Sequence, residues 1–149
     1  MGRGFLLLAL IACQAVFAAE ENPWSRVTHP TLQAPQAIGS YANGCQQGAQ
    51  VLPEEGRGYV SIRRFRNRFY TQPITLGMID QVANTLVDTY GQRILIGDLS
   101  QPIGGKMPYG HSSHQNGLDI DIWFYTVAEG GYHPMILSPL HWLIKQPVG

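Results

Sequence analysis

Between Pro73 and Tyr90 apolar residues recur every three or four positions, with Ile74, Met78, Val82 and Leu86 in one stripe and Ile79 and Ala83 beside it. That spacing predicts an amphipathic α-helix whose stripe faces the core. Pro73 suits the first helical turn, where a missing N–H goes unnoticed, and Gly91 suits the left-handed position just past the end. The run Arg93-Ile94-Leu95-Ile96-Gly97-Asp98 predicts a short buried strand. Tyr59-Val60-Ser61-Ile62, followed up to Tyr70 by alternating arginines and aromatic residues, predicts a strand with a charged face. Leu118-Asp119-Ile120-Asp121-Ile122 alternates strictly. A strand there sets Leu118, Ile120 and Ile122 on one face and Asp119 and Asp121 on the other.

The remaining segments show no period. Asn22 to Gly58 is dense in Pro, Gly, Gln, Ser and Asn and predicts extended pieces and turns without helix. Within it Gly39 to Cys45 has turn chemistry, since Asn43-Gly44 tolerates positive φ, and His29, before Pro30, is expected at the surface. Gln101 to Gly110 predicts a glycine-rich loop. It is not a phosphate loop, because Ser100 and Met107 stand where a glycine and a hydroxyl residue are needed.

Composition adds bounds. The 149 residues make one domain, and 44% hydrophobic content with 17 Gly and 10 Pro fits a compact, loop-rich protein. Ten basic residues balance ten acidic ones, so no net field draws the chain to nucleic acid. Arg63, Arg64, Arg66 and Arg68 are therefore read as a strand face, with one or two free to meet an anionic substrate.

Arg3, the apolar run Phe5 to Phe17 and the small residues Val16 and Ala18 predict an export signal over residues 1–18, ahead of a domain over 19–149. The run falls short of the roughly 20 apolar residues of a stable membrane span. Leu10-Ile11-Ala12-Cys13 offers a lipoprotein cleavage box as an alternative. Removing the signal leaves Cys45 alone in an oxidising compartment, either as a buried free thiol or with a partner in a segment not present in this chain.

The chemistry concentrates between Gly110 and Trp123, where His111 and His114 lie on a loop that returns directly to Asp119 and Asp121. Imidazole nitrogen with carboxylate oxygen suits a zinc ion left open for catalysis, whereas calcium prefers oxygen alone. Taken without the histidines, the two aspartates fit solvent as well as a cation or buried donors; the histidines beside them shift the balance toward a metal.

At these residues the chain resembles the penicillin-insensitive murein endopeptidases. Gly104-Gly105, Gly110-His111-Ser112-Ser113-His114-Gln115, Gly117-Leu118-Asp119 and Asp121-Ile122-Trp123 carry the likeness. Ile38-Gly39-Ser40-Tyr41, Gly44-Cys45, Gly48-Ala49, Leu52-Pro53, Gly58-Tyr59, Arg68-Phe69-Tyr70 and Leu95-Ile96-Gly97-Asp98 extend it in order through most of the mature chain. The resemblance implies the amino-terminal portion of an α+β zinc metallopeptidase domain with a small antiparallel sheet, one main helix and long loops. It implies an exported, periplasmic enzyme that hydrolyses D-alanyl-diaminopimelate cross-links of peptidoglycan with Zn2+. His114 and Asp121 fall on two of the three metal ligands, and His111 and Asp119 on groups that orient or shape the site.

The family's downstream His-x-His motif, source of the third ligand and of the expected base histidine, does not occur before Gly149. After Asp121 the histidines are His133 and His141, and the chain ends soon after the apolar patch Pro139 to Ile144. Three expectations follow. The chain is the front part of such an enzyme, lacking a ligand and a partner for Cys45; or it is a non-catalytic murein-binding or scaffold remnant; or His133 or His141 serves as an unusual third ligand. Oligomeric state is not fixed by the sequence.

Overall fold

The computed structural model describes residues 22–129. The predicted signal, Cys13, His133, His141 and the patch at 139–144 lie outside the described residues. The fold is α+β, with one main helix and small, mostly antiparallel sheets.

Chain order begins with a 3-10 turn, Pro23–Arg26, capped by the Asn22 side chain. Strands β1 (Gln36–Gly39) and β2 (Gly44–Gln47) form an antiparallel hairpin. Its positive φ falls on Gly39 (73°) and not on Asn43. Strand β3 (Gln50–Val51) pairs antiparallel with β5 (Tyr70–Thr71). Strand β4 (Tyr59–Ser61) lies parallel to β6 (Gln92–Ile96), and β6 pairs antiparallel with β7 (Ile122–Ala128). Helix α1, Pro73–Tyr90, connects β5 to β6 and supplies the long crossover that a parallel pair needs. It has Pro73 in its first turn and ends at Gly91, whose φ is 63° and whose N–H donates to the Val87 carbonyl at 2.8 Å, as the sequence predicts. No helix among the described residues is long and apolar enough to cross a membrane.

The core lies on both faces of β4 and β6. Tyr59, Ile94 and Ile96 join Leu52, Leu99, Ile79 and Ala83 on the helix side. Val60 and Leu95 join Ile62 and Val127 on the other, with Trp123 packed against them. Two-sided burial explains why β6 reads as a continuous apolar run and not as an alternation.

Three expectations are corrected. The helix buries Thr75, Ile79, Ala83 and Val87, whereas Ile74 is 77% exposed and Met78 and Val82 are about half exposed. The buried face is thus one residue, about 100°, away from the most apolar stripe. Close approach sets it: the Ala83 backbone packs so tightly on Gly58 that a side-chain carbon at position 58 would collide with it. Thr75 is needed on the same face, where its hydroxyl donates to the Gly117 carbonyl at 3.1 Å.

The strand expected from Tyr59 to Tyr70 stops at Ser61. Arg63 and Asn67 take left-handed backbone, φ 59° and 53°, around the 3-10 turn Arg64–Arg66. The reversal turns arginines inward, Arg64 to the Leu52 carbonyl at 2.8 Å and Arg66 and Arg68 to Asp98. The strand expected over Leu118–Ile122 begins only at Ile122, and the preceding residues form an extended loop. The small sheets are mostly antiparallel, as expected; the one parallel pair, β4 with β6, is a long-range choice that no local pattern specifies.

Candidate metal centre

The site is built where β6 ends and β7 begins. The Gly97 N–H donates to the Asp121 carbonyl at 2.8 Å, and the Asp121 N–H donates to the Asp98 carbonyl at 3.1 Å. These two bonds set Asp98 and Asp121 side by side. The loop carrying the histidines is anchored separately, since the Gly117 carbonyl accepts from the Thr71 hydroxyl at 2.8 Å, the Thr75 hydroxyl and the Gln72 N–H. Gln115 ties it to the β1–β2 turn, donating to the Ala42 carbonyl at 2.8 Å, while its own N–H donates to the Tyr41 carbonyl.

His114 is 3% exposed and has φ 63°, a left-handed conformation uncommon for a residue other than glycine. Its N–H donates to Asp119 Oδ2 at 3.0 Å, so Asp119 holds the backbone of this residue. His114 Nε2 lies 3.2 Å from Asp121 Oδ1. His111 Nε2 lies 3.4 Å from Asp121 Oδ2 and 3.3 Å from Asp98 Oδ2. The two imidazoles meet edge to face with centroids 4.8 Å apart. One donor atom each from His111, His114 and Asp121 falls within 4.8 Å of the others.

Two imidazole nitrogens with a carboxylate oxygen are the donor types a first-row cation such as zinc takes. Bonds of about 2.0–2.2 Å place tetrahedral neighbours roughly 3.3–3.6 Å apart; His114 Nε2 and His111 Nε2 lie 3.2 and 3.4 Å from different oxygens of Asp121, and the three donors stay within 4.8 Å of one another. His114 forms the closed back of the cluster, while the side chains of His111 and Asp121 are 27% and 34% exposed, leaving a solvent side for water or substrate. His114 Nδ1 is buried without a hydrogen-bond partner among the described residues. A ligand histidine ordinarily donates its second nitrogen to an acceptor.

All four sequence-predicted residues, His111, His114, Asp119 and Asp121, therefore meet in one place, with Asp119 contacting backbone. His111, expected only to orient the site, has its Nε2 among the converging donor atoms. Asp98 was missed as a site residue. It is 1% exposed, and its Oδ2 receives Arg66 at 2.8 Å and Arg68 at 2.9 Å as well as His111. Its signal in the sequence is an acid closing a buried apolar strand, where a carboxylate needs cationic partners. Cys45 lies in β2 opposite Ile38, half-buried, with no disulfide among the described residues. His29 is at the surface, with Nδ1 2.8 Å from the Thr28 hydroxyl.

Fold and site together define a class: an α+β domain that gathers two imidazoles and a carboxylate into a centre suited to a divalent cation. Residues 37–134 match the family described as penicillin-insensitive murein endopeptidase, and the chain belongs to that family, which is one of metallopeptidases. It is 41% identical over 133 residues to the penicillin-insensitive murein endopeptidase of Yersinia enterocolitica, covering 89% of this chain and 48% of that protein. To the protein of the same name from Pectobacterium atrosepticum it is 37% identical over 139 residues, covering 91% of this chain and 49% of the other. The Klebsiella pneumoniae protein of that name is 38% identical over 133 residues. The chain thus spans about half the length of the curated relatives it matches.

Proposed function

We propose that the protein is an exported, zinc-dependent endopeptidase acting in the periplasm, where it hydrolyses D-alanyl-diaminopimelate cross-links of peptidoglycan. The observation that carries this reading is the convergence of His111, His114 and Asp121 in a chain of the murein endopeptidase family. His114 and Asp121 hold the metal, and His111 is the third donor within reach. When bound, zinc supplies Lewis acidity toward the scissile carbonyl and lowers the pKa of water.

The chain's own residues do the positioning. Asp119 fixes the His114 backbone, the paired backbone of Gly97, Asp98 and Asp121 fixes the carboxylate, and Asp98, itself held by Arg66 and Arg68, limits the swing of His111. The partly exposed side chains of His111 and Asp121 leave the cluster open to solvent on the side where a peptide would approach.

The test is digestion of purified peptidoglycan followed by chromatography of the muropeptides. Zinc-loaded protein is expected to convert cross-linked dimers to monomers, with loss of the activity in a chelator and in His114→Ala. Binding of peptidoglycan with dimers left intact in zinc would favour the non-catalytic murein-binding reading.

A further inference from the structure

Beside the metal centre lies a pocket of about 240 Å3, lined among others by Arg66, Asn67, Arg68, Gln101 and Tyr109. Its charge is unbalanced. Arg66 and Arg68 both direct Nη1 to one oxygen of Asp98, so two guanidinium charges face a single carboxylate. Arg68 is nearly used up, because its Nη2 donates to the Tyr109 carbonyl at 2.9 Å and its side chain is 2% exposed. Arg66 is not. Its side chain is 11% exposed, and among the described residues its only polar partner is Asp98.

Both guanidinium groups lie over the Tyr109 ring, at 5.2 and 4.5 Å from its centroid, which keeps them in place without neutralising them. Gly110 makes room for them, since a side-chain carbon there would meet Arg66 Nη2 at 3.1 Å. The free edge of a planar guanidinium, backed by a second cation, matches the two oxygens of a carboxylate. The oxygen that both arginines share, Asp98 Oδ2, is also 3.3 Å from His111 Nε2, so pocket and metal centre are adjacent.

We propose that the pocket between Arg66, Arg68 and Tyr109 is a carboxylate subsite that seats a free carboxyl group of the peptide substrate next to the bond being cut. The inference rests on the endopeptidase reading above. In a D-alanyl-diaminopimelate cross-link the amine side of the bond is an α-amino acid centre, which carries a free carboxylate on the carbon attached to the scissile nitrogen. That short, fixed separation is what a cation pocket adjoining the metal centre can read. Arg66 would make the contact and Arg68 would keep the local charge positive.

The test uses a diaminopimelyl peptide, the amine-side product, which binds without being cut, and the same peptide amidated at that carboxylate. Calorimetric titration of the full chain is expected to give about ten-fold or greater preference for the free acid, the scale of a charge-assisted contact. Arg66→Gln should abolish the preference. Arg66→Lys, which keeps a cation for Asp98 and so protects the fold, should lose most of it by losing the planar fork. Equal binding of both forms, binding of neither, or a preference retained in both variants would overturn the subsite, as would displacement of the free acid by equimolar inorganic phosphate. Hydrolysis of cross-linked dimers is followed alongside. Intact hydrolysis with equal binding removes only the subsite, whereas a preserved preference without hydrolysis removes the endopeptidase reading and leaves the carboxylate pocket.

Discussion

His114 takes a left-handed backbone conformation, which costs a residue with a side chain about 1–2 kcal/mol. Asp119 offsets that cost by accepting the His114 N–H at 3.0 Å, and a hydrogen bond to a charged group contributes about 1.5–3 kcal/mol. Asp119→Ala should therefore weaken zinc binding by about 10- to 100-fold, the range for groups that support metal ligands. Competition against a chromophoric chelator would measure it, and unchanged affinity would remove Asp119 from the site. Asp98 acts on stability as well as geometry. Truncation to Ala strands Arg68, whose side chain is 2% exposed, without its carboxylate. Breaking such a buried pair costs about 3–5 kcal/mol, so urea unfolding of Asp98→Ala should show a loss of that size.

These residues differ in how far the sequence announced them. His111, His114, Asp119 and Asp121 were legible because they lie within eleven consecutive positions, so a single loop suffices to gather them. Asp98, Arg66 and Arg68 come from distant segments, and their meeting depends on left-handed turns at Arg63 and Asn67. Arginine is rarely selected for φ near 59°, and nothing in its local pattern signals it.

Among the elements, α1 was legible in its limits but not in its orientation. Proline, glycine and periodicity fix where a helix starts and stops, whereas the face it buries is fixed by what it meets. Here it meets Gly58. Gly58→Ala should push the Ala83 backbone off the sheet and cost about 1–3 kcal/mol, as overpacking does, measured by a lower urea midpoint with unchanged slope. Strands β4 and β5 bury Tyr59 and Tyr70, and burial raises both phenols above their ordinary value of 10.0, with Arg64 pulling in the opposite direction. Folded protein therefore keeps these protons to higher pH than the unfolded chain. The stability is fully present below about pH 10 and is lost as pH rises through the raised values. Unfolding midpoints measured from pH 7 to 11 should fall at the alkaline end, and less steeply in Tyr59→Phe.

At the scale of the whole molecule, part of the interior among the described residues is hydrogen-bonded loop. Gln46 donates to the Gln101 carbonyl at 2.8 Å and accepts from Gln72 at 3.0 Å, and Gln101 in turn reaches the Gly104 carbonyl at 3.1 Å. Periodicity cannot reveal this layer, because buried glutamines look like surface residues until their partners are known. The family likeness carried the reading where pattern could not, through short motifs that coincide with these buried loops. Gln115, Gly117 and the histidines are thus one fitted unit.

The central claim is that His111, His114 and Asp121 form a metal centre. Calorimetric titration of zinc into the protein and into His114→Ala tests it most directly. One zinc per chain, with a raised unfolding temperature in the wild type and neither effect in His114→Ala, is the predicted result. Zinc binding of equal strength in the two proteins, or none in the wild type, would contradict it.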